Sequence, residues 1–158
     1  MHRVMLALIL VLAAPAAVAA PSVELVGLDG QSHIVLIAEL EQLQAADITV
    51  PDPHTRAPAH YRGVPLTRVL GLAGISFEGP LRGPYLVAKL NIDAADGYRV
   101  AFSLPELDPL TGSTEVFLVF ALDGEPLDSE IGPFRLIVPT DKRGARWVRQ
   151  VTRIALVP

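Results

Sequence analysis

The sequence predicts an α+β fold with a mixed, mostly antiparallel β core and a few short helices. Three observations carry this expectation. Twelve glycines and fourteen prolines cut the chain into apolar runs that are mostly too short for long helices. The pairs Asp29-Gly30, Asp96-Gly97 and Asp123-Gly124 stand between apolar, β-branched runs, where tight turns join strands. Helical spacing of apolar residues appears only in brief stretches.

Taken in order, residues 23–28 alternate apolar and polar before the Asp29-Gly30 turn and read as an opening strand. Residues 33–37 are rich in β-branched side chains and form a second strand, and Ile37, Leu40 and Leu43 give residues 38–44 the spacing of a short helix. Residues 47–50 suit a strand at a sheet edge, and residues 51–58, with three prolines, an exposed loop. Residues 61–66 lead into a helix with Pro65 at its first turn, an apolar face of Leu66, Val69, Leu70 and Leu72, and Gly74 at its end. A Gly/Pro loop spans 76–84. Strands follow at 85–92 and 98–102 around the Asp96-Gly97 turn, then a capped helical turn at 103–107. Residues 115–122 are a strongly apolar strand, and Asp123-Gly124 opens a hairpin-like connection to Ile131. Residues 134–138 form a strand that runs into Pro139, and a tight basic loop then leads to a closing strand around Ile154.

The first nineteen residues read as a signal peptide rather than as fold. His2 and Arg3 precede an apolar run over 4–12, Pro15 breaks it, and Ala17-Val18-Ala19 has the small-x-small pattern of a cleavage site. The run is shorter than the ~20 apolar residues that a spanning helix needs. The expectation is a signal peptide at 1–19, one domain at 20–158, a periplasmic address, and no stable membrane insertion after cleavage. No cysteine exists anywhere in the chain, so disulfides, thiolate nucleophiles and cysteine-ligated metals are excluded. Loss of Arg3 takes the formal charge of −4 to about −5, a balance that argues against nucleic acid as a partner.

Against this acidic background, Lys142, Arg143, Arg146 and Arg149 fall within eight residues. Guanidinium groups bind phosphate-like anions through paired donors, so the cluster is a candidate anion site. The same residues also suit a solvated turn whose arginines pair with Asp128, Glu130 or Asp141. Trp147 beside them suits core packing or stacking on a flat ligand. His54 and His60, with Asp52 nearby, are too few and too widely spaced for a zinc site. Asp96 with Tyr98 reads as a turn, and Glu106 with Asp108 lacks a partner for acid–base work.

Four phrases occur in an order that resembles the oxidoreductase molybdopterin-binding domain, the sulfite oxidase fold. They are Tyr61-Arg62-Gly63-Val64-Pro65-Leu66 followed by Val69-Leu70; Ala95-Asp96-Gly97-Tyr98 followed by Ser103-Leu104-Pro105-Glu106-Leu107; residues 118–127; and residues 132–154. The resemblance covers about residues 25–156. It implies that the loop before the final strand grips a pterin and its phosphate through Arg146 and Arg149, with Lys142 and Arg143 as neighbours. It also implies that the metal-ligating cysteine of the family would lie between the first helix and Gly63. Residues 48–62 offer only Asp52, His54, His60 and Tyr61 there, and His60 is the candidate for the cleft mouth. Neither imidazole nor carboxylate replaces a soft thiolate at molybdenum. The expectation is therefore an exported, non-catalytic domain of this fold. It would bind a small anionic or heterocyclic ligand, or a protein partner, and carry no cofactor. Two alternatives stand beside it: a molybdopterin-dependent oxidoreductase with a replaced metal ligand, and a structural or sensory accessory domain that binds no small molecule.

Overall fold

The computed structural model describes residues 20–158, so the signal-peptide segment lies outside the described residues. Among the described residues ten strands form two sheets. The first contains β1 (Ser22–Val26), β2 (Ser32–Leu36), β5 (Lys89–Ala94), β6 (Arg99–Ser103) and β10 (Val151–Val157), in the order β2-β1-β10-β5-β6. Only β1 and β10 run parallel, which brings the opening and closing strands side by side through Leu25 and Ile154. The second sheet has the order β3-β4-β7-β8, from β3 (Ala46–Pro51), β4 (Pro58–Pro65), β7 (Phe117–Leu122) and the two-residue β8 (Glu125–Pro126). The strand β9 (Arg135–Ile137) also pairs with β7. The helices α1 (Ile37–Gln42), α2 (Leu66–Gly71) and α3 (Leu104–Leu107) are short, as expected.

Alternation along the strands builds the core. Val23 and Leu25 of β1, Leu90 and Ile92 of β5, and Leu118 and Val119 of β7 are fully buried and join one apolar cluster with residues of both sheets. The second helix needs no side-chain cap. Pro65 sets its entry and Leu66, Val69 and Leu70 bury its apolar face.

Two segments depart from the sequence reading. Residues 85–88 are not strand: Gly83–Leu86 form a 3-10 turn, and β5 begins only at Lys89. The entry to the second helix is a central strand, β4, paired with β3 on one side and β7 on the other. Prolines at both of its ends and a glycine within it hide its strand character. Gly63 is nevertheless required there, because a Cβ would lie 2.5 Å from the Leu118 carbonyl oxygen and 2.7 Å from Val119 Cα. The β4–β7 register shifts between Arg62 and Gly63, so the close approach coincides with a bulge.

Candidate functional site

A cleft of about 570 Å3 opens where three separate stretches of chain meet. They are the loop after β3, the β5–β6 turn, and the segment that runs from β9 through the basic loop to β10. Its floor is Arg135. This residue sits in β9 between Phe134 and Leu136, both fully buried, and is itself only 6% exposed. Alternation explains its direction: Phe134 and Leu136 turn to one side, and Arg135 turns to the other, towards Tyr61 and Trp147. Its Nη1 donates to Tyr61 Oη at 2.8 Å. The guanidinium carbon lies 5.6 Å from the Tyr61 ring centre and 5.5 Å from that of Trp147. Such contacts each offset part of the cost of burying the cation, by about 0.5–2 kcal/mol. They leave the Nε of Arg135 buried with no hydrogen-bond partner among the described residues. A buried donor of a charged group without a partner carries a desolvation cost of ~1–3 kcal/mol or more, so native folds rarely keep one without use.

The two aromatic residues beside Arg135 are held in place, Trp147 at the cleft wall and Tyr61 buried behind it. Trp147 donates Nε1–H to the Val138 carbonyl at 2.9 Å and meets the Tyr61 ring edge-on at 6.3 Å. It is both core residue and cleft wall. Burial pushes the Tyr61 phenol above its ordinary value, and Arg135 pulls the other way.

At the rim, Arg149 lines the cleft and is exposed. The backbone on either side fixes it: Leu136 N–H donates to the Val148 carbonyl, and Gln150 N–H to that of Ile131. The loop of residues 52–57 lines the same cleft. Asp52 Oδ1 accepts the amides of His54 and Thr55 at 2.9 Å each and the Thr55 hydroxyl at 3.2 Å. The Thr55 amide foremost, with the His54 amide, the Thr55 hydroxyl and Arg135, holds the Asp52 carboxyl below the usual range against the opposing effect of burial. Asp52, His54 and Thr55 face the cleft. Gly144 lets this loop meet the basic loop, since a Cβ there would stand 2.8 Å from Pro53 Cγ. Tyr98 ties in the third stretch by donating its hydroxyl to the Ala145 carbonyl at 2.7 Å.

The structure thus brings one of the sequence-predicted basic residues, Arg149, to the cleft and separates the others from it. Arg146 donates Nε and Nη2 to the two oxygens of Asp141 at 2.8 and 2.6 Å, and Nη1 to Glu106 Oε1 at 2.7 Å. It covers the Phe102 ring at 4.6 Å. Glu106 also accepts the Ser103 amide at 3.0 Å, so one carboxylate caps α3 and anchors the basic loop. Lys142 and Arg143 are exposed and are not among the cleft-lining residues. His60 bonds to Thr49 across β3 and β4, outside the lining. Asp108 is buried and accepts the Leu110 amide and the Thr111 hydroxyl, which makes it a turn-former. Arg135 and Asp52 are the functional candidates that the motif reading did not single out as cleft residues. An arginine between Phe134 and Leu136 in an otherwise apolar run was the available signal for the first.

The arrangement can bind an anion through the Arg135 guanidinium beside the Trp147 wall. Among the described residues no group of three His, Asp or Glu side chains converges as metal ligands, and the chain has no thiolate. The donor set therefore fits the anionic, organic end of a pterin cofactor and does not fit a thiolate-held molybdenum.

A second and more apolar groove, of about 370 Å3, lies between β4, α2 and the residues around Pro109 and Val116. It carries no charged side chain apart from Glu115 and no unpartnered buried donor.

Comparison with known proteins agrees with the architecture. The profile of the oxidoreductase molybdopterin binding domain matches residues 38–158. The crystal structure of the sulfane dehydrogenase SoxCD from Paracoccus pantotrophus superposes with a TM-score of 0.65 at 21% identity, over 87% of this chain and 38% of that one. At that identity the likeness concerns the fold, and the chain spans well under half of the SoxCD chain. No curated protein sequence matches. The match over residues 38–158 and the shared two-sheet architecture show that this chain belongs to the oxidoreductase molybdopterin binding domain family.

Proposed function

We propose that the protein is an exported, non-catalytic member of this family whose cleft binds a small anionic ligand on Arg135 and Arg149. The observation that carries the reading is Arg135: 94% buried in an apolar strand, its guanidinium carbon 5.6 and 5.5 Å from two aromatic ring centres, with its Nε unpartnered. Arg149 from the rim adds a second charge, which the basic-loop resemblance also pointed to. Export and periplasmic residence rest on the leader-like first nineteen residues, after which no cysteine follows to carry a lipid anchor. No helix of the described residues is long and apolar enough to cross a membrane.

The test is a thermal-shift and calorimetric titration with inorganic phosphate against chloride at matched ionic strength. A saturable rise in Tm is expected, beyond the general stabilisation that excluded anions give. Each charge-assisted contact contributes about 1.5–3 kcal/mol, so Arg149→Ala should weaken binding on the order of tenfold or more. Identical responses from wild type and Arg149→Ala and Arg135→Gln variants would remove the reading.

One observation favours the oxidoreductase alternative: Asp52 and His54, harder ligands than a thiolate, line the same cleft as Arg135. Metal analysis of protein from its own periplasm decides between them. The non-catalytic reading expects far less than one molybdenum per chain, and stoichiometric metal with a pterin would replace it.

A further inference from the structure

The cleft holds as many carboxylates as guanidiniums. Asp52 and Asp96 line it together with Arg135 and Arg149. Both aspartates use Oδ1 for their local turns: Asp52 for His54 and Thr55, Asp96 for the Tyr98 amide at 2.9 Å. In each case the second oxygen takes no part in the turn. Asp52 and Arg135 line the same cleft, and the Arg135 charge contributes to lowering the Asp52 pKa, yet no ion pair joins them among the described residues. A ligand that is only an anion is drawn to Arg135 and repelled by Asp52. At the low effective dielectric of a half-closed cleft, that repulsion offsets much of the attraction. A ligand with an anionic group and an ammonium side by side satisfies both. Ile131, Ala145 and Trp147 add apolar wall, and His54, Thr55 and Tyr98 add polar groups.

We infer that the cleft takes a compact amino-carboxylate zwitterion, such as an α-amino acid with an apolar or aromatic side chain. Its carboxylate lies on the Arg135 guanidinium and its ammonium on Asp52. The inference rests on the cleft-binding reading above and narrows its ligand class. It accounts for a feature that a simple anion does not: an ionised aspartate beside a buried, unpartnered guanidinium edge. A specific zwitterion site uses such opposed charges, because the like-charge contact then holds anions that lack the amine more weakly than the zwitterion.

The experiment measures binding to the full chain by calorimetry for L-phenylalanine, L-leucine and L-methionine. The parallel probes are 3-phenylpropionate, which lacks the amine, phenethylamine, which lacks the carboxylate, and inorganic phosphate. At least one amino acid should bind ten times or more tighter than either truncated probe. Asp52→Asn keeps the Oδ1 acceptor and hence the turn, so the fold is preserved. It should lower amino-acid affinity at least tenfold and leave 3-phenylpropionate unchanged or tighter. Should 3-phenylpropionate match the amino acids in the wild type, or Asp52→Asn leave amino-acid binding intact, the inference is overturned. Binding of phosphate and 3-phenylpropionate without any amino acid overturns the zwitterion and retains the anion site. No response to any probe removes both.

Discussion

Arg146→Ala separates an anchoring arginine from a ligand-binding one. The side chain makes three charge-assisted hydrogen bonds to Asp141 and Glu106 and covers Phe102. Two limits bracket the loss. An exposed ion pair contributes about 0–1 kcal/mol, and breaking a buried one costs about 3–5 kcal/mol. Arg146, Glu106 and Asp141 are 30%, 31% and 18% exposed, so water re-solvates the stranded carboxylates in part. A loss of about 2–3 kcal/mol follows, which for a domain of this size lowers Tm by roughly 6–10 °C. Arg146→Lys should fall between, because an ammonium cannot make the paired contact with Asp141. Phosphate affinity, corrected for the lower stability, should fall in either variant by no more than roughly tenfold, through loosening of the basic loop, and should not be abolished. Denaturant melts give the first quantity and calorimetry at 25 °C the second. A stability loss under about 0.5 kcal/mol together with abolished phosphate binding would refute the reasoning. It would return Arg146 to the ligand-gripping role that the family resemblance implies.

Other outcomes follow from the same geometry. Gly63→Ala drives a methyl into the backbone of β7 rather than into a movable side chain, and should destabilise by about 3 kcal/mol or prevent folding, read as Tm or soluble yield. Gly144→Ala pushes Pro53 away from the basic loop; it should cost about 1–3 kcal/mol and weaken ligand binding, since both loops line the cleft. The folded-state pKa of Asp52 is depressed below its ordinary 3.8, so its contribution is present above that pH and fades as pH falls through the folded value. The stability gap between wild type and Asp52→Asn should therefore be flat from pH 7 to 5 and close below about pH 4. N-terminal sequencing of the exported protein should begin at Ala20, because Ala17 and Ala19 occupy the small positions of the cleavage pattern.

Much of the fold was legible because its signals are local. Each Asp-Gly pair marked a real turn, and the Ser103/Glu106 spacing marked a real helix start. Strand β4 was hidden because its defining feature is not local. Gly63 lowers strand propensity, yet the strand needs it to let β7 approach. The basic cluster illustrates the same limit at the site. Charge density along the chain located the loop correctly, but Arg143 and Arg146 are three apart and Arg146 and Arg149 three more. On an irregular backbone this spacing says nothing of direction. Only the tertiary positions of Glu106 and Asp141, 40 and 5 residues away from Arg146, decide that it turns inward to carboxylates. Arg149 owes its outward place to hydrogen bonds that Val148 and Gln150 make with distant segments.

The division of labour between the two arginines explains why a basic loop persists in an acidic chain. Arg146 is neutralised by two carboxylates and serves to fix residues 139–147 against α3. Because that loop is fixed, Ala145 can accept from Tyr98 and Gly144 can meet Pro53, and the three stretches around Arg135 hold one shape. The ligand then meets a prearranged site and pays little ordering entropy on binding. Net charge near the cleft consequently says less about its ligand than the arrangement of the charges that remain unneutralised. Those are Arg135, Arg149 and the free oxygens of Asp52 and Asp96, and a mixed set of that kind favours a ligand dipole over a bare anion.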